Sequence, residues 1–156
     1  MEKGILFKRF KSTLYQVFKE ASRKYELKKR EVKHIRREIN KLVKLKERGM
    51  DVSLHHSIYE IIVGVYLSSK GYRVFLEHEL GEEKVGKVKR EVRGDVVGQR
   101  QGECIIVEIE TGYVPTSRLD GDLYRMKKEI GKTVRYSTLM NAKFGICLLY
   151  TSDAAD

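Results

Sequence analysis

Apolar residues recur at Leu14, Phe18, Ala21, Tyr25, Val32, Ile35, Ile39 and Leu42, separated by steps of 4, 3, 4, 7, 3, 4 and 3. This spacing is a seam along one face of a helix. No Gly or Pro interrupts the chain between Ile5 and Arg48, and Lys28 is the one polar break in the seam. The pattern predicts a single long helix ending at Gly49, roughly 65 Å at about 1.5 Å per residue. Such a helix needs a partner for its seam. A second copy of the chain in a coiled coil and the domain that follows are the two simplest. A helical hairpin is a third arrangement, for which the sequence carries no turn signal.

Beyond Gly49 the periodicity changes. Ser57 to Glu60 has capping-box spacing, and Ile58, Ile61, Ile62, Val65, Tyr66 and Leu67 give a broad apolar helix face that stops at Gly71. Strands are expected over Tyr72 to Leu80, Val88 to Gly98 and Cys104 to Glu110, with turns at Gly81 to Gly86 and Gln99 to Gly102. Val97 and Ile106 fall on one face of the latter two strands, and Val96, Ile105, Val107 and Ile109 on the other, so helices should cover both faces. After a loop with Pro115, the only proline, Ser117 or Asp120 can cap a helix with inner face Leu123, Met126, Ile130 and Val134. A last strand runs from Phe144 to Tyr150, before a tail. The expected organisation is a long basic helix (1–49), an α/β domain with a mixed central sheet flanked by helices (50–150) and the tail (151–156).

Composition limits the function classes. A chain of 156 residues, 41% hydrophobic, supports one core of ordinary size. No apolar run reaches the roughly 18 residues of a membrane span, and the N-terminus lacks the marks of a signal peptide, so a cytoplasmic protein is expected. Cys104 and Cys147 sit in apolar runs without metal-site spacing and read as small hydrophobes. Charged residues make up 35% of the chain, and Asn and Gln are scarce, a bias of heat-adapted proteins.

The net charge of +10 is uneven. The first fifty residues hold 17 Lys+Arg against 6 Asp+Glu, whereas residues 51–156 hold 15 against 16. The basic excess thus belongs to the N-terminal helix. It reads either as a solvated face or as a footprint for a nucleic-acid backbone, with an acidic protein or an anionic membrane surface as other partners.

Two acids stand on the buried third strand, in V107-E-I-E-T-G112. A tight turn centred on Gln101 and Gly102 sets Asp95 opposite Glu108, and by alternation Glu110 shares their face, with Arg93 opposite it. Crowded carboxylates raise one another's pKa unless a cation intervenes. A hard divalent ion would serve and could activate water against a phosphodiester; a salt-bridge cluster with Arg93, Lys128 or Lys132 would serve equally. His55 and His56 precede the Glu60 helix, and His56 shares the Glu60 face; both read as surface histidines, or as contacts to phosphate or to a metal's water.

The succession of a helix with Glu60, a strand with R93-G-D95-V-V, a strand with I106-V-E108-I-E110-T-G and a further helix resembles the PD-(D/E)xK nuclease superfamily. In helix order it is similar to the branch of archaeal Holliday-junction resolvases and restriction-type endonucleases. E-I-E-T-G-Y-V-P with K132-T-V-R-Y-S137 further resembles uncharacterised archaeal members. The resemblance covers about residues 54 to 150 and implies a restriction-endonuclease-like core that hydrolyses DNA with Mg²⁺ or Mn²⁺. Asp95 and Glu108 match the metal-binding acids, and Glu60 the supporting first-helix glutamate. Position 110 departs, holding glutamate where the pattern has lysine. Lys132 on the following helix can replace that lysine, or Glu110 can hold a second metal or act as general base. Lys87, Lys89, Arg90, Lys128 and Arg135 are candidate DNA contacts, and the N-terminal helix a candidate homodimer surface. The alternative is a catalytically inactive nucleic-acid-binding or assembly protein on the same fold.

Overall fold

The structure is a computed structural model that describes residues 2–110, 131–137, 142 and 144–149. Its elements are α1 (Glu2–Lys24), α2 (Lys29–Glu47), α3 (Leu54–Ser69), β1 (Arg73–Val85), β2 (Val88–Arg100), β3 (Glu103–Glu110), a helix α4 over 131–137 and β4 (Phe144–Leu149). The fold is α/β. The four strands form one mixed sheet in the order β1-β2-β3-β4, antiparallel except for the parallel pair β3 and β4. The expected loop around Pro115, the first part of the following helix with Lys128, and the tail lie outside the described residues.

The single long helix is not observed. The chain breaks at the seven-residue step of the seam, between Tyr25 and Lys28, and continues as α2. The break is a Schellman stop: Leu27 N–H donates to the Ser22 carbonyl (3.0 Å) and Glu26 N–H to that of Arg23 (3.2 Å), with Glu26 at φ 52°. Gly normally takes that left-handed position, so a glutamate there hid the turn from a composition-based search. Gly49 (φ 80°) and Gly71 (φ 92°) end α2 and α3 in the same way, in agreement with the sequence. Because a non-glycine residue is strained at positive φ, Glu26→Gly should stabilise the fold by about 1 kcal/mol, read as a higher urea midpoint at unchanged m-value.

Folded back in this way, the seam covers itself within one chain. Leu14, Phe18, Ala21, Ile35, Ile39 and Leu42 are buried in one cluster with Ile61 and Val65 of α3 and with Val74, Leu76, Val96, Ile105, Val107 and Ile109 of the sheet. A second copy would therefore have to use another surface. On the opposite face, Val97 and Ile106 pack with Leu80, Val92 and Tyr136 of α4. Helices thus cover both faces, as the two-sided apolar pattern requires. In α4 the expected inner residue Val134 is exposed, and Thr133 and Tyr136 are buried instead.

α2 also closes the edge of β1, whose outer backbone groups would otherwise lack partners. His34 Nε2 lies 2.8 Å from the Val74 carbonyl, and Leu76 N–H donates to Glu38 Oε1 at 3.0 Å. These two side chains, one helical turn apart, lay α2 along the strand.

The turn expected at Gly81 to Gly86 is shorter and later. Val85 pairs with Val88 around Gly86 and Lys87, while Gly81 (φ 137°) sits at a bulge between Glu79 and Gly81 that shifts the register by one residue. The β2–β3 register follows the expected arithmetic from Arg100↔Glu103 to Val96↔Val107, around Gln101 and Gly102, both at positive φ. Among the described residues no helix is long and apolar enough to cross a membrane.

Candidate metal centre

Beyond Val96↔Val107 the backbone ladder gives way to side chains. Asp95 N–H donates to Glu108 Oε1 (3.2 Å), and Ile109 N–H donates to Asp95 Oδ2 (2.7 Å). The two acids therefore face each other as the turn arithmetic requires, and each occupies one amide of the opposite strand. On the other side of β2, Leu76↔Val96 and His78↔Gly94 flank Glu77 and Asp95. Glu77, Asp95 and Glu108 thus form one row across β1, β2 and β3. Glu77 has φ 48°, a conformation a strand residue rarely adopts.

α3 supplies the remaining groups. Its cap is Ser53, whose side chain accepts from His56 N–H, and not the expected Ser57, which is buried inside the helix with Glu60. His56, Glu60 and Gly64 recur every four residues on one stripe. A Cβ on Gly64 would meet Val74 Cγ1 at 3.1 Å and Leu76 Cδ2 at 3.3 Å, so glycine lets the helix approach β1 closely. That approach carries His56 and Glu60 to the row of acids.

His56 Nε2 stands 3.0 Å from Glu60 Oε1, 3.1 Å from Asp95 Oδ1 and 3.8 Å from Glu77 Oε1. Nε2 carries at most one hydrogen, so it can donate to only one of these three oxygens at a time. Glu60 is fully buried, and apart from the contact with His56 its oxygens have no hydrogen-bond partner among the described residues. One ligand atom from each of His56, Glu60, Glu77 and Asp95 lies within 4.8 Å of all the others. A divalent ion bound at about 2.1–2.4 Å separates its ligands by about 3 to 5 Å. The four residues thus fit a metal ion, which would take one oxygen from each of the three carboxylates at once, as a single N–H cannot.

The electrostatics agree. Burial alone would lower the His56 imidazole, but hydrogen bonds and charge from Asp95 and Glu60 outweigh it and lift the group to about 11. Burial drives the Glu60 carboxyl well above the usual range; His56 opposes this, and Glu77 and Asp95 reinforce it. Burial, then the Asp95 charge, lift Glu108 to about 8 against the pull of Lys132. Without an ion, the cluster holds protons in its place.

Glu108 and Glu110 are not in the four-residue group. Glu108 is buried beside it, with Oε2 3.5 Å from Lys132 Nζ, so α4 does bring Lys132 to the acids. Glu110 ends β3 half-buried, paired in register with Leu149. Arg93 pairs in register with Glu79, places Nε 3.5 Å from Glu91 Oε1, and lines a cleft of ≈ 270 Å³ with His56, Glu77 and Leu45. Lys87, Lys89 and Arg90 lie toward the tip of the β1–β2 hairpin, roughly 15–25 Å from the row at about 3.3 Å per residue. Arg135 is on α4, one turn from Lys132 and exposed.

Sequence reasoning missed Glu77 and gave His56 a surface role as its first reading. The available signal was the four-residue spacing of His56 and Glu60; nothing local marked Glu77. The chain matches no family model, no curated protein and no solved structure, so the chemistry of this site rests on its own geometry.

Proposed function

We propose that the chain is a metal-dependent endonuclease that hydrolyses DNA phosphodiester bonds, with Mg²⁺ or Mn²⁺ held by His56, Glu60, Glu77 and Asp95. One observation carries this reading: a single imidazole nitrogen lies within 3.8 Å of carboxylates from three residues. Three carboxylates favour a hard ion, and the imidazole favours Mn²⁺ over Mg²⁺. A divalent ion in such a site supplies Lewis-acid polarisation of a phosphoryl oxygen and a nucleophile at neutral pH.

The chain's own residues supply the rest. Glu108, buried beside the four ligands and 3.5 Å from Lys132, is the carboxylate left over to take a proton from the attacking water. Lys132, 3.5 Å from Glu108, brings a positive charge beside the acids, the role that the superfamily pattern gives to a lysine at position 110. Asp95 is tied to β3 through Ile109 N–H and to α3 through His56, so the acids are held before any ligand arrives. The resemblance to PD-(D/E)xK nucleases rests on Glu60, Asp95 and Glu108 and gains from the position of Lys132.

A second reading, an inactive DNA-binding or assembly protein, is favoured by Glu110 standing where that pattern has lysine. The two differ in a simple assay of Mn²⁺-dependent cleavage of branched, single-stranded and duplex DNA. On the nuclease reading, Lys132→Ala lowers cleavage by about 10²-fold while Mn²⁺ affinity measured by calorimetry stays within a few-fold. No cleavage of any substrate by the wild-type chain would favour the second reading.

A further inference from the structure

A large cavity outside the acidic centre is basic. A groove of ≈ 670 Å³ at the start of α2 is lined by Lys28, Arg30, Lys33, Arg37 and, from the start of β1, Arg73. The one acid among its described lining residues, Glu31, accepts from Ser68 Oγ at 3.2 Å. The same end of α2 has no side-chain cap, because Lys28 occupies the cap position without making a capping bond. Free N–H groups and the positive end of the helix dipole there favour an anion, yet the chain places Lys28, Lys29 and Arg30 beside them. Five cations around a concavity at a helix start repel one another, and an anion in the groove relieves that repulsion.

α2 connects this groove with the acidic centre. His34 and Glu38 hold the helix along β1 at Val74 and Leu76, and Glu77 follows directly, roughly 10 Å beyond Val74 at about 3.3 Å per residue. Further along the same helix, Leu45 lines the cleft that contains His56 and Glu77. A polymer with repeating phosphates can occupy both places at once; a small anion cannot. A bilayer surface fits poorly, because the apolar face of α2 (Ile35, Ile39, Leu42, Val43) is buried in the core and cannot insert.

We propose that the groove formed by Lys28, Arg30, Lys33, Arg37 and Arg73 binds backbone phosphates of the nucleic-acid strand that enters the acidic centre. The choice of nucleic acid rests on the nuclease reading, which fails separately in the experiment that follows. The groove, and not the β1–β2 hairpin with Lys87 and Lys89, carries most of the salt-dependent affinity.

The full chain is titrated into labelled single-stranded and duplex oligodeoxynucleotides in EDTA, where no cleavage occurs, at several salt concentrations. The double variant Lys33→Glu/Arg37→Glu changes two exposed residues and should melt at the wild-type temperature; Lys33→Gln/Arg37→Gln is the milder form if it does not. Expected is a loss of affinity of tenfold or more near 0.1 M salt. The slope of log K against log salt should fall by about 1.4–1.8, as for two lost phosphate contacts. Lys87→Glu/Lys89→Glu should change the slope by less than half as much. Unchanged affinity and slope in both groove variants would overturn the assignment, as would poly-glutamate or phosphatidylserine vesicles binding the groove as tightly as DNA. Groove-dependent binding without cleavage in Mn²⁺ leaves the groove standing and removes the nuclease. Cleavage with groove-independent binding does the reverse.

Discussion

On the nuclease reading, replacing Asp95 with Asn should abolish Mn²⁺ binding at the acidic centre and lower DNA cleavage by about 10³-fold, while the protein stays folded. The magnitude follows from the several kcal/mol that a bound ion contributes to phosphoryl transfer, at about 1.4 kcal/mol per tenfold in rate. Asn is the informative replacement because Asp95 has two duties. Its Oδ2 accepts from Ile109 N–H at 2.7 Å, an inter-strand bond that an amide oxygen preserves. Its Oδ1 stands 3.1 Å from His56 Nε2 and supplies negative charge to the cluster, which an amide removes. Asp95→Ala would lose both, leaving a buried N–H unsatisfied at a cost of about 1–3 kcal/mol, and a drop in activity would then mix chemistry with stability. Calorimetric Mn²⁺ titration and thermal melts of both variants separate the two effects. Wild-type Mn²⁺ affinity in a folded Asp95→Asn protein would remove the residue from the site.

The second large effect is on stability. His56, Glu60 and Glu108 all have folded-state pKa values raised above their unfolded ones, so the metal-free fold binds more protons than the unfolded chain. Groups shifted upward contribute stability at low pH and lose it as pH rises through the folded value. For Glu108 that window runs from 4.5 to about 8, and for His56 from 6.5 to about 11. The metal-free protein should therefore melt at a progressively lower temperature from pH 6 to pH 9. Mn²⁺ replaces the protons, so it should stabilise more at pH 8 than at pH 5.5 and release protons on binding. At a hundredfold excess over Kd the gain is about 2.7 kcal/mol, a rise in Tm of roughly 5–10 °C for a chain of this size. A Tm that is flat with pH in EDTA and indifferent to Mn²⁺ at pH 8 would contradict the proton-for-metal exchange.

Much of this was legible in the residues. Alternation fixed which faces of β2 and β3 are apolar, because successive side chains of a strand must point to opposite sides. Turn chemistry at Gln101 and Gly102 fixed the pairing of Asp95 with Glu108, because a tight hairpin leaves only one register. The periodic seam marked Leu14, Phe18, Ala21, Ile35, Ile39 and Leu42, all buried, but not the buried Phe10 and Val43, and Gly49 and Gly71 marked two helix ends.

Other features depended on tertiary context. The break between α1 and α2 rests on Glu26 in a left-handed conformation, which packing of the returning helix can sustain and which no residue preference announces. The bulge at Glu79 to Gly81 is decisive for the site. Continued without it, the hairpin pairing of Val85 with Val88 would set His78 opposite Asp95; the one-residue shift puts Glu77 there. His56 reaches the same point because Gly64 allows α3 to lie close on β1. The sequence by itself determined the strand faces and one pair of acids, because those follow from local periodicity and a short turn. Glu60 was expected beside Asp95 only through the family resemblance; that His56 and Glu77 join them was decided by the tertiary structure, because a bulge and a helix approach are set by packing between segments distant in the chain.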